Sequence, residues 1–125
     1  MAFTNFLDAA ILNHVFTGVS YTAPTALYIG LHTAAPTVSN EVATASYARK
    51  QSNFVIDVGN TVKNPVALNW NLGESFGVIT HVAIYDAATG GNQLVASQLT
   101  SSVDGNNTTQ IQIDANQLQI QMIDA

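Results

Sequence analysis

The chain has 125 residues, 47% hydrophobic and only 9% charged, with a formal net charge of −5 and no cysteine. One compact domain spanning residues 1–125 is expected, too apolar for a disordered tail and held by packing rather than by disulfides or Cys-based zinc sites. Arg49, Lys50 and Lys63 are the only Lys or Arg residues, which argues against a nucleic-acid partner, and no apolar run approaches the roughly 20 residues of a bilayer span, which argues against a membrane one.

From the N-terminus, Phe6, Leu7, Ala10, Ile11, His14 and Val15 recur at spacings of three and four, the stripe of an amphipathic helix over about residues 4–16. Thr4 is placed to cap it, Asp8 favours its positive end and Gly18 ends it. Asn5, Asp8, Asn13 and His14 interrupt the apolar positions and no Lys or Arg precedes Arg49, so this is not a secretory signal peptide. At about three turns the helix needs cover for its stripe, with the chain's own core as the first expectation and a neighbouring subunit as the second.

After Gly18 the period changes to two. Leu27, Ile29 and Leu31 alternate with Tyr28, Gly30 and His32, predicting a strand over 26–32. Residues 33–45 read as a contact-bearing loop, and strands follow at 47–56, 66–71 and 77–85. Asp86 to Asn92, with Gly90 and Gly91, predicts a hairpin into a strand at 93–99. A second reversal falls at 104–107, and Ile111, Ile113, Leu118, Ile120 and Met122 alternate with Gln or Asp around a break at 114–116. About seven or eight short strands without an internal repeat predict an all-β fold, an antiparallel, jelly-roll-like β-sandwich with one short N-terminal α-helix.

Motifs that carry chemistry are missing. His14, His32 and His81 form no metal-ligand spacing, and His81 with Asp86 lacks the strained nucleophile turn that a hydrolase triad needs. Glu74 and Asp57 are the nearest thing to a carboxylate pair, with Trp70 the only tryptophan to serve as a sugar platform. Gly90–Gly91 has neither phosphate-loop pattern, and Asp104 to Asn107 lacks the alternating carboxylates of a calcium loop. Asn106 and Asn107 match the glycosylation acceptor pattern, which matters only on secretion. Arg49 is read as a structural clamp on a carboxylate or loop carbonyls, with an intersubunit contact as the alternative. No catalytic, cofactor-binding or metal-ligating residue is assigned, and the chain is expected not to be an enzyme. The scarcity of charge suits a surface packed against neighbours.

Three stretches carry a resemblance over most of the chain: residues 12–16 (LNHVF) with 21–24 (YTAP); residues 27–33 (LYIGLHT) with Pro36, Glu41 and 46–49 (SYAR); and residues 80–91 (THVAIYDAATGG). They resemble a family of small tailed-bacteriophage virion proteins, labelled tail fibre or fibre-like proteins of the Gp80-like kind. The resemblance implies a structural protein of the virion without catalytic residues or cofactor. The family alone does not place it on the particle; a compact domain without stalk, repeat or aromatic sugar-binding patch favours a capsid decoration (cement) protein. Such a protein is expected to form a closed homo-oligomeric ring, commonly a trimer at a symmetry axis, against the major capsid protein or other virion proteins, using its uncharged faces and the 33–45 loop. The alternative is a tail fibre or baseplate component that contacts host glycans, with Tyr28, Tyr85 and Trp70 as stacking residues.

Overall fold

The computed structural model describes residues 2–37 and 40–122, so Val38 and Ser39 of the expected loop and the ends of the expected domain lie outside the described residues. The fold is all-β and sandwich-like, with antiparallel sheets and one short helix. Among the described residues the strands are β1 (Ala2–Phe3), β2 (Leu27–His32), β3 (Lys50–Ser52), β4 (Val55–Val58), β5 (Thr61–Lys63), β6 (Leu68–Asn71), β7 (Val78–Tyr85), β8 (Gln93–Asp104), β9 (Gln110–Ile113) and β10 (Gln119–Gln121). A five-stranded sheet runs β1-β8-β7-β2-β3, and the second layer is split into a three-stranded sheet, β10-β5-β4, and a two-stranded ribbon, β6-β9.

The register of β2 with β7 sets Ile29 opposite Ile84 and Leu31 opposite Val82, so these four apolar side chains share one face of the large sheet. That face meets Leu68 and Trp70 of β6, Ile111 of β9 and Leu118 in one buried cluster. Trp70 opposes Ile111 in the ribbon, is 2% exposed, and donates its indole N–H to the Ala48 carbonyl at 2.9 Å. The buried Asn64 ties the second layer together. Its amide donates to the carbonyls of Val66 and Asp114 while its side-chain oxygen accepts from the Leu118 N–H at 2.9 Å, which satisfies a polar group that burial would otherwise penalise.

The β7–β8 hairpin forms as its turn residues predict. Asp86 accepts from the backbone and side-chain nitrogens of Asn92 at 2.7 and 2.9 Å, while Gly90 and Gly91 sit at φ 61° and 71°. A Cβ on Gly91 would lie 2.5 Å from an Asp86 carboxylate oxygen and 2.7 Å from the Ala87 Cβ. Gly91→Ala is therefore expected to lower stability by about 1–3 kcal/mol, read as a lower melting temperature with unchanged m-value.

Three sequence expectations are corrected. The strand expected at 47–56 is two strands, β3 and β4, because at residues 53–54 the chain passes from the large sheet, where β3 pairs with β2, to the second layer, where β4 pairs with β5. The strand expected at 93–99 runs on to Asp104, with register shifts against β7. The helical segment is an α-helix, α1 (Asn5–Leu12), followed by a π-helical turn at Asn13–Thr17. Its ends are as expected: the Thr4 hydroxyl accepts from the Leu7 N–H, and Gly18 caps the turn at φ 74°. Its cover is not. Leu7 packs on the core, yet no residue from Ala2 to Tyr28 is fully buried, and Leu12, Val15 and Phe16 are 56%, 62% and 77% exposed.

Candidate functional site

Both faces of β2 are closed, and the second is closed by a strap rather than a sheet. Gly30 opposes Ala83 and Tyr28 opposes Tyr85, which lays the Tyr85 ring against the one position of β2 with no side chain. A Cβ on Gly30 would come within 2.9 Å of that ring and 3.4 Å of Glu41 and Tyr47. Residues Glu41 to Arg49 then run along the edge of β2. Val42 N–H donates to the Leu31 carbonyl at 3.0 Å and Leu31 N–H donates to the Tyr47 hydroxyl at 3.0 Å. The tyrosine oxygen thus stands where a neighbouring strand's carbonyl would be, and the Leu31 backbone is satisfied without one.

Arg49 is the centre of this strap. Its guanidinium donates from Nε and Nη2 to the two Glu41 oxygens at 2.7 and 2.9 Å, and from Nη1 to the Ala87 and Gly90 carbonyls at 2.9 and 2.8 Å. Its planar face lies 3.5 Å from the Tyr85 ring centroid. The fork geometry engages carboxylate, turn carbonyls and aromatic face together, which a lysine cannot do. The expected clamp on a carboxylate or loop carbonyls is thus a clamp on both, and it joins the strap to the β7–β8 turn. Burial opposes the Arg49 charge, but the hydrogen bonds and charge of Glu41 outweigh it and raise the guanidinium's pKa. Burial, then the Glu41 charge, pushes the Tyr85 phenol up to about 12.

His32 completes the network inside the sheet. It is fully buried, its Nδ1 is 2.7 Å from the Asn40 side-chain oxygen and its Nε2 is 2.8 Å from the Tyr85 hydroxyl. Asn40 Nδ2 already donates to the Ala35 carbonyl, so Asn40 Oδ1 accepts from His32 Nδ1–H, and in the neutral imidazole Nε2 accepts from the Tyr85 hydroxyl. Burial lowers the His32 pKa, Arg49 and His81 act in the same direction, and the Asn40 hydrogen bond and Glu41 oppose them. The unfolded chain binds this proton near pH 6.5 while the folded one resists it. The resulting stability is present above about pH 6.5 and is lost as pH falls through the folded value. In melting curves from about pH 8 to pH 5, His32→Gln is expected to flatten the acid-side loss; an unchanged slope would exclude His32 as its source.

The other sequence candidates are dispersed. His14 Nδ1 accepts the Tyr21 N–H and His81 Nδ1 bonds Thr80, while Asp86 is held in its turn. Glu74 accepts from the Ser46 N–H and Asp57 pairs with Lys63, so they serve different elements. Asp104 accepts from the Asn107 side chain and the Asn106 N–H, which lower its pKa in that order, and Ser75 donates to the Asn106 side chain. That loop is stapled by its own amides. Among the described residues no three His, Asp or Glu side chains gather as metal ligands, and no helix is long and apolar enough to cross a membrane. Of the three expected stacking residues, Trp70 and Tyr85 are buried at 2% and 4% exposure and Tyr28 is half-buried. A sugar platform built on the first two is corrected to core and clamp.

Sequence reasoning missed Glu41, Tyr47 and Asn40 as members of the network. The chain has only two glutamates, so the scarcity that singled out Arg49 applied equally to its partner. A cleft of about 540 Å³ between the large sheet and the β9–β10 segment has Leu31, Val82 and Leu118 in its wall and Asp114 as its one ionisable lining residue. Asp114 accepts from Gln112 at 2.6 Å. The arrangement is suited to holding loops in place.

No curated protein matches the chain. A family model described as podophage GP4 fiber I protein gp80 matches residues 2–121. With nearly the whole chain matched, from β1 through β10, the protein belongs to this family of fibre-like phage virion proteins.

Proposed function

We propose that the chain is a non-enzymatic structural subunit of the fibre apparatus of a short-tailed phage, acting through contacts with copies of itself and with neighbouring virion proteins. The family description carries this reading. The side-chain chemistry agrees with it: the ionisable groups of the strap network are spent on one another and on backbone, and the helical segment exposes the apolar Phe6, Leu12, Val15 and Phe16. The earlier expectation of a shell decoration protein is the second reading. It is favoured by one observation, a compact strand-built body whose longest element is the 12-residue β8.

Labelled antibody against the chain, imaged on intact particles, separates the two. Label confined to the tail and its fibres supports the proposal, whereas label distributed over the shell overturns it in favour of decoration.

A further inference from the structure

We infer that residues 40–42 form an acid-released latch: when His32 takes up a proton, this segment lifts from the edge of β2 while the sheet behind it stays folded. β3 pairs with β2 along Leu27, Tyr28 and Ile29. Beyond Ile29 the same edge is covered by residues 40–42 instead of a strand. His32 opposes Glu41, Val42 N–H donates to the Leu31 carbonyl, and Thr33 N–H donates to the Asn40 carbonyl at 3.1 Å. Asn40 fixes the shape of the latch, because its side-chain oxygen accepts from the Thr37 N–H as well as from His32 while its amide donates to Ala35.

The closed form has little tolerance for a charge at His32, which is fully buried. A proton on Nε2 turns the acceptor of the Tyr85 hydroxyl into a donor, so a phenol on a side chain 4% exposed loses the group that received its hydrogen. The surrounding charges do not make this good. From the strap, Glu41 favours a charged ring, but its carboxylate already serves Arg49 and the Tyr47 hydroxyl, and Arg49 itself lies over the Tyr85 ring. From β7, His81 opposes His32 in register, which sets two imidazoles side by side. Lys50 of β3 opposes Ile29, on the other face of β2. Burial is the largest influence holding the proton off, with Arg49 and His81 adding to it against Asn40 and Glu41. Lifting residues 40–42 lets water reach the ring and removes that penalty.

The latch yields before the sheet because less holds it. β2 is paired from Tyr28 to His32 with β7 and from Leu27 to Ile29 with β3. Residues 40–42 are held by the Val42 and Thr33 backbone bonds, the Glu41 contacts and one buried aliphatic side chain, Val42. Segments with few buried contacts open below the cost of global unfolding. In the open form His32 titrates near its ordinary value of about 6.5, so opening is expected to become up to about thirtyfold more frequent from about pH 7.5 to about pH 5. Opening frees the Leu31 carbonyl and the Thr33 N–H, backbone groups of the kind that an incoming extended segment pairs with.

Amide hydrogen exchange, read residue by residue by NMR on the full chain and corrected for the intrinsic pH dependence of exchange, tests the latch. The Val42 and Thr33 amides are expected to exchange faster than those of β7 at every pH, to be insensitive to low urea as local openings are, and to lose up to about thirtyfold of their protection from about pH 7.5 to about pH 5. His32→Gln, which takes up no proton, is expected to abolish that pH dependence. Protection of Val42 and Thr33 that does not change with pH overturns the inference, as does exchange of these amides only at the rate and urea sensitivity of the β7 amides, which would mean that the whole domain opens. If His32→Gln does not fold, the wild-type His32 ring signal decides. A charged ring that appears only as Val42 protection falls supports the latch, whereas titration near pH 6.5 with Val42 still protected overturns it.

Discussion

Arg49→Ala is expected to destabilise the chain by about 3–5 kcal/mol, a fall of roughly 10–20 °C in melting temperature at this size. The Arg49 and Glu41 side chains are 9% and 15% exposed, so removing the guanidinium leaves a carboxylate that water scarcely reaches, held by the Tyr47 hydroxyl alone. It also orphans two turn carbonyls and uncovers the Tyr85 ring. Arg49→Lys keeps the charge but loses the two-pronged geometry and the flat face, and is expected to recover less than half of the loss. Adding Glu41→Gln to Arg49→Ala should relieve part of it, since the buried charge goes with its partner. Chemical denaturation of the four proteins measures this directly. A loss below about 1 kcal/mol for Arg49→Ala, the range of an exposed ion pair, would show that the strap does not depend on its clamp.

Trp70→Ala is expected to cost about 3–5 kcal/mol, through lost burial and the cavity it leaves. Trp70→Phe keeps most of the volume and removes the indole donor from the Ala48 carbonyl, and about 1–2 kcal/mol is expected. Ala48 lies next to Arg49, so Trp70 and Arg49 anchor the same strap from the core and from the opposite face. Their alanine substitutions are therefore expected to be non-additive, the double variant losing less than the sum. Additive losses would mean that the two anchors hold independent pieces.

What was legible in the sequence follows physical lines. The period-two alternation of Leu27, Ile29 and Leu31 located β2 to within one residue, and the Asp86-to-Asn92 turn chemistry located the β7–β8 hairpin. Thr4 and Gly18 marked the helical segment because caps act locally. β1 and β5 were missed: two and three residues cannot display a period. Phe16 and Val15 show the other limit. Spacing reports which side of a helix is apolar, but not whether anything covers it, and both residues stand exposed in the π-helical turn. Arg49 stood out because cations are scarce, whereas its bond to Glu41 depends on how the intervening loop returns to the edge of β2. The His32–Tyr85 bond likewise depends on the β2–β7 register, which pattern alone does not fix.

The most direct test of a structural role in the virion is quantitative mass spectrometry of gradient-purified particles. The chain is expected at a fixed multi-copy ratio to the other structural proteins, unchanged across particle fractions and after high-salt washing. Its absence from purified particles, or a trace amount that washing removes, would contradict the account.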